Sequence, residues 1–125
     1  MSKKRSVNYS QNLVDALNKL PVPIHDERHG LTVYLDDNKA RSNQSRFQHI
    51  CGTRHNLSVK DIEYIPEGIQ KYSTLKKDKT RKKTFNYYFK RKSNEHEYIK
   101  ISLSVDRKEP KNVRIKTIFI TKLIK

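Results

Sequence analysis

Two histidines and an arginine fall within one short segment, Gln48-His49-Ile50-Cys51-Gly52-Thr53-Arg54-His55. Histidine exchanges protons near neutral pH, and arginine presents a planar fork of donors that matches phosphate oxygens. The same chain carries 28 Lys+Arg against 13 Asp+Glu, a formal net charge of +15. A surplus of that size self-repels and is offset most readily by a polyanion. Histidines within such a surplus point to proton transfer at an RNA phosphate. RNA carries its own nucleophile, the 2′-OH. Cleavage therefore needs a base for that proton, an acid for the leaving 5′-oxygen and donors for the phosphorane charge, with no metal or other cofactor.

His49 and His55 can supply the two proton transfers, in either order. Arg54, Lys116, Lys90 and Lys92 are candidates for holding phosphate, and Thr117 and Tyr88 for donating to a nonbridging oxygen. Each has a plainer alternative. His55 precedes Asn56-Leu57-Ser58, where a solvated loop histidine is ordinary. Arg54 can neutralise a helix C-terminus, and Thr117 can be a packed β-branched residue. The remaining cations expected to contact nucleic acid are Lys76, Lys77, Arg81, Lys82 and Lys83 in one charged loop, with Lys90, Lys92, Lys100 and Arg114 on strands or beside them. Tyr88 and Tyr98 can stack on bases from the face opposite the core. His25-Asp26-Glu27-Arg28-His29 contains metal-ligating types but lies between prolines and a glycine with no partner to close a site. Cys51 is the single cysteine, so no internal disulfide forms, and it reads as a small buried thiol rather than a nucleophile.

At 125 residues there is room for one core. The hydrophobic fraction of 34% is lean, yet the apolar residues fall in patterned runs, which argues for a folded domain. The basic N-terminus is followed by no apolar stretch, and no run is long enough to span a bilayer. The expectation is a soluble, cytoplasmic protein without a membrane partner.

Residues 1–8 read as a flexible basic tail and residues 9–125 as a single α+β domain. Leu13, Val14, Leu17 and Leu20 have the three–four spacing of a helix that Ser10 can cap and Pro21 stops. Residues 31–35 predict a strand, and residues 40–50 a second helix ending near Gly52. Ser58 and Asp61 have capping-box spacing for a third helix, expected to break at Pro66-Glu67-Gly68. The C-terminal third then alternates with a period of two: Phe85-Tyr87-Phe89, Ile99-Ile101-Leu103-Val105 and Val113-Ile115-Thr117-Phe119. Short polar connections between these runs favour antiparallel hairpins. The predicted fold is α+β, with N-terminal helices packed on a C-terminal antiparallel sheet of about four strands.

The order of these features resembles a known family. His49-Ile50 with Arg54-His55, a helical segment ending in Ile65-Pro66, a basic loop, and three strands with Lys116-Thr117 in the last are similar to the phage-associated ribonucleases of the barnase/EndoU/colicin/RelE group, over roughly residues 45–121. The resemblance implies a metal-independent endoribonuclease with helices on a four-stranded antiparallel sheet, serving as a phage or mobile-element toxin or effector. An acidic immunity protein, antitoxin or host protein would be a second partner beside RNA. The rival reading is a non-catalytic basic module that binds nucleic acid or a nucleoprotein, such as a phage-encoded inhibitor of a host defence complex. Both need the basic face. Only the enzyme needs the histidines.

Overall fold

The computed structural model describes residues 9–41 and 44–122; the tail expected over residues 1–8 lies outside them. The chain runs through α1 (Gln11–Asn18), β1 (Ile24–Asp26), β2 (Leu31–Tyr34), a small hairpin β3–β4 (Lys39–Arg41 and Gln44–Ser45), α2 (Arg46–Ile50) and a 3₁₀ turn (Thr53–His55). It continues through α3 (Val59–Glu63), α4 (Ile65–Glu67), a π turn (Gly68–Tyr72), β5 (Thr74–Lys77), β6 (Thr84–Lys90), β7 (Tyr98–Val105) and β8 (Asn112–Thr121). One sheet of six strands has the order β1-β2-β8-β7-β6-β5. β5 to β8 form an antiparallel meander, and β2 joins β8 in parallel.

The α+β class is as the patterning predicts, but its detail differs. The sheet is mixed and six-stranded rather than antiparallel and four-stranded, and all helices after α1 follow β1 to β4 rather than preceding the whole sheet. Leu31–Tyr34 sits next to the last strand because a crossover containing the helices and the meander separates the two, the arrangement a parallel pair requires. The helix expected over residues 40–50 forms only from Arg46. Ahead of it the backbone pairs as a hairpin, and a reciprocal capping box between Ser45 and Gln48 fixes where the helix begins.

The caps at Ser10 and Ser58 form as expected, the latter with Asp61. Pro66 does not end the helical region. It stands at the start of α4, where its missing N–H costs nothing, and the chain turns on through Tyr72. Gly68 has ordinary helical φ, but a Cβ there would lie 2.3 Å from the Phe89 ring.

Phe47, Ile50, Ile62, Ile65 and Ile69 from the helical layer meet Tyr87, Phe89, Ile99, Ile101, Leu103, Val113, Ile115 and Ile118 from one sheet face. The sheet curls around this core until its two edges communicate. The Gln70 amide donates to the His25 carbonyl (3.0 Å), and Arg28 donates to the Ser73 carbonyl (2.9 Å). Inside this closure, Asp26 of β1 accepts a 2.5 Å bond from the Tyr87 hydroxyl and a 2.7 Å bond from His29 Nδ1. Burial, and then Asp26 itself, push the Tyr87 phenol well above its ordinary range, so it remains a donor.

Asp26 is buried at the point where the first strand reaches β6, so losing a donor there leaves a carboxylate short of partners. Tyr87→Phe should therefore destabilise the protein by about 1–3 kcal/mol in denaturant unfolding, the usual cost of leaving a buried polar group short of a partner. An unchanged midpoint would show that the Tyr87–Asp26 bond contributes nothing.

Candidate active site

β8 is longer than its neighbour on one side. β2 pairs with Asn112, Val113 and Arg114, and among the described residues no strand runs along that edge of the later part of β8. Exposed strand carbonyls need donors, and two side chains supply them. Arg46 Nη1 donates to the Lys116 carbonyl (3.1 Å), and His55 Nδ1 donates to the Ile118 carbonyl (2.7 Å). α2 and the 3₁₀ turn thus occupy the space where another strand would lie.

That bond settles the chemistry of the His55 ring. A carbonyl oxygen only accepts, so Nδ1 carries the hydrogen and the neutral ring keeps its lone pair on Nε2. His49, in the last turn of α2, lies edge to face with His55 at 5.3 Å between ring centroids. The capped helix α2 and the 3₁₀ turn that follows it therefore bring the histidines into contact. Asn56 leaves the 3₁₀ turn through a left-handed conformation, which short polar Asn tolerates, and Ser58 starts α3.

On the sheet face opposite the core, the register aligns Thr74, Tyr88, Lys100 and Phe119 across β5 to β8. Lys100 Nζ stands 5.8 Å from the Tyr88 ring centroid and 5.1 Å from that of Phe119. Phe119 in turn meets His55 edge to face at 6.0 Å. A continuous row therefore leads from Tyr88 through Lys100 and Phe119 to the two histidines. Lys90 and Arg114 belong to the same face, in register with Tyr98 and Ser104.

The other predicted residues are placed unequally. Arg54 is exposed beside His55. Lys116 is the extra residue of a β-bulge opposite Ser102–Leu103, with its carbonyl taken by Arg46. Thr117 shares the face of Phe119, but its hydroxyl oxygen is enclosed and is the one buried side-chain polar atom without a partner among the described residues. Tyr88 is only 1% exposed beneath Lys100, so its ring offers no surface for a base. Arg114 is committed to an ion pair with Asp36 and lies over the Tyr34 ring. Lys92 lies over Tyr64, on the helical side.

Lys76 and Lys77 belong to β5, while Arg81, Lys82 and Lys83 sit exposed in the turn that follows. Asp78 organises that turn by accepting from the backbone N–H groups of Thr80 and Arg81 and from the Asn86 amide. The backbone bond from Thr80, then the Asn86 amide, hold the Asp78 carboxyl well below the usual carboxylate range. Asn86 also accepts from Ser102, so the basic turn is tied to the interior of the sheet face.

Sequence reasoning missed Phe119 as the spacer between Lys100 and His55, and it missed Arg46 altogether. Strand periodicity places Phe119 on a face; only the register shows its neighbours. Among the described residues no three His, Cys, Asp or Glu side chains gather as metal ligands. No protein-family description, curated protein or solved structure matches this chain.

Cys51, two residues from His49, is buried, and burial followed by the nearby Asp37 charge pushes its thiol from 9.0 up to about 12. The thiolate fraction at pH 8 consequently falls from about one in ten to about one in ten thousand. Iodoacetamide at that pH should alkylate the native protein at least about 100-fold more slowly than the denatured chain. Equal rates would place the thiol in solvent and reopen a nucleophilic role.

Proposed function

We propose that the protein is a metal-independent endoribonuclease whose acid–base pair is His49 and His55. The observation that carries this reading is the contact between the two rings, with His55 oriented by the Ile118 carbonyl so that Nε2 holds the free lone pair. His55 is then the base that removes the 2′-OH proton, and His49 the acid that protonates the departing 5′-oxygen. The attack expels that oxygen and leaves a 2′,3′-cyclic phosphate; the proton taken at one ring is balanced by the proton given at the other. Lys100, fixed over Phe119, and Arg54 beside His55 supply positive charge for the phosphorane.

RNA would cross the face that carries Lys90 and Lys100, with the β5–β6 turn adding affinity. The family resemblance at His49-Ile50 and Arg54-His55 supports the same reading and adds the role of toxin or effector. Tyr88 and Thr117 drop out of the catalytic set, because neither presents its functional atoms to solvent.

A second reading draws on the same bond. A histidine that satisfies an exposed carbonyl is also what a purely structural edge cap looks like, and a basic module binding RNA or a nucleoprotein needs no more than that. The two separate on cleavage. His49→Ala should reduce single-turnover RNA cleavage in EDTA by roughly 10²–10⁴-fold, the contribution of a positioned acid or base. His55→Asn keeps an amide donor for the Ile118 carbonyl while removing the base, so it should fold like the parent and show a comparable loss. The parent rate should follow a bell in pH, since one ring must be neutral and the other protonated. Parent-like cleavage by both variants would assign the histidines to structure alone.

A further inference from the structure

Away from the histidine pair, an open cavity of about 480 Å³ lies where the end of the π turn meets β5, β6 and the start of β7. Its walls are dominated by aromatic rings, chiefly Tyr64, Tyr72 and Tyr98, with Lys90 at its margin. Tyr72 is 56% exposed and is, with Val22, one of two large apolar residues left exposed among the described residues. It nevertheless lies nearly parallel to Tyr64, 25° between ring planes and 6.3 Å between centroids. Tyr64 is itself held edge to face against the core residue Phe89 at 5.8 Å, and Lys92 stands 5.3 Å above its ring. A half-buried ring held against the core therefore supports an exposed one, with Lys92 over the first and Lys90 at the cavity margin.

Folding does not account for this arrangement, since an exposed tyrosine gains little from the core. Rigid aromatic faces beside lysines are what an unstacked nucleobase and its phosphate require: the ring stacks, and the ammonium groups neutralise the charge. The one acidic side chain on the wall, Glu95, disfavours a bare phosphate inside and leaves the anion to Lys90 at the rim.

We infer that this cavity is a subsite for one nucleobase of single-stranded RNA, stacked on Tyr72 and with its phosphate at Lys90. The inference rests on the RNA reading above and extends it to a second contact point on the same strand of RNA. β6 is two strands from β8, so at about 4.8 Å per strand the subsite lies on the order of 10 Å or more from the β8 edge that holds His55. A few linked nucleotides cover such a span. The subsite would then set the register in which RNA reaches the histidines.

The test is a titration of the whole protein with adenosine 5′-monophosphate and, separately, with ribose 5-phosphate, followed through the tyrosine ring resonances by NMR. The nucleotide should shift the Tyr64, Tyr72 and Tyr98 signals at millimolar concentration, and the sugar phosphate should not. Tyr72→Ala, at an exposed position that leaves the core intact, should weaken the nucleotide roughly 5–100-fold, the range for loss of one base–aromatic stack. Tyr72→Phe should restore it. No shift up to about 10 mM nucleotide, a weaker affinity than any useful subsite, would overturn the proposal. So would equal response to the sugar phosphate, or a Tyr72→Ala variant that binds like the parent. His49→Ala should bind the nucleotide normally, so failure of the ribonuclease reading appears in cleavage and failure of the subsite appears in this titration.

Discussion

A strand edge with no neighbour is the constraint from which the candidate site follows. β2 reaches as far as Arg114, and the carbonyls beyond it on β8 face a space that no strand among the described residues fills. Leaving such groups without donors costs free energy and offers a template for unwanted pairing. The chain answers with side chains: Arg46 from α2 on the Lys116 carbonyl and His55 from the 3₁₀ turn on the Ile118 carbonyl. Closing the edge and orienting the His55 imidazole are one event. The same short connection between α2 and the turn that lets both caps form also sets the His49 ring against His55. The edge cap and the proposed base therefore share one hydrogen bond, and a variant must keep the donor while removing the imidazole to tell them apart.

The rest of the molecule holds that edge in place. The core fixes Ile115 and Ile118 on one face of β8, which forces Phe119 to the other. The β-bulge at Lys116 shifts the alternation by one residue, so that Ile118 rather than Thr117 points inward. Without the bulge, Phe119 would face the helices and Lys100 would have no aromatic partner beside the histidines. On the far side, Asp26 reaching Tyr87 keeps the curled sheet closed, and Arg91 holds Asp61 of α3 in a two-pronged bond at 2.7 and 3.0 Å while also reaching Glu97. Arg91 is raised above its ordinary range chiefly by Asp61, so the cation that joins α3 to the β6–β7 connection stays charged.

Much of this was legible in the residues. The period-two runs gave β6 to β8 and their antiparallel pairing, because each run is half-buried and its connections are short. Ser10, Ser58 and Asp61 announced helix starts, since a cap is a local interaction that depends on neighbours in sequence. Local rules misled over residues 40–50, where several residues tolerate a helix but the capping box at Ser45 and Gln48 delays its start. They also failed at Pro66, where a residue that breaks helices internally is harmless at a first turn. The parallel pairing of Leu31–Tyr34 with β8 depends on contacts some eighty residues apart in sequence, which no periodicity records. The bulge at Lys116 is equally silent, and with it the separation of Thr117, enclosed, from Phe119, beside His55. Of the site, the segment could be read; which cation and which ring stand next to it could not.

If His49 and His55 move the protons of a 2′-OH attack, a DNA oligonucleotide that contains one ribonucleotide, incubated with the protein in EDTA, should be cut once. The cut should fall on the 3′ side of the ribonucleotide and leave a 2′,3′-cyclic phosphate, while the all-DNA strand stays whole. An intact chimera under conditions in which the protein binds it, or cuts elsewhere in the DNA, would rule that chemistry out.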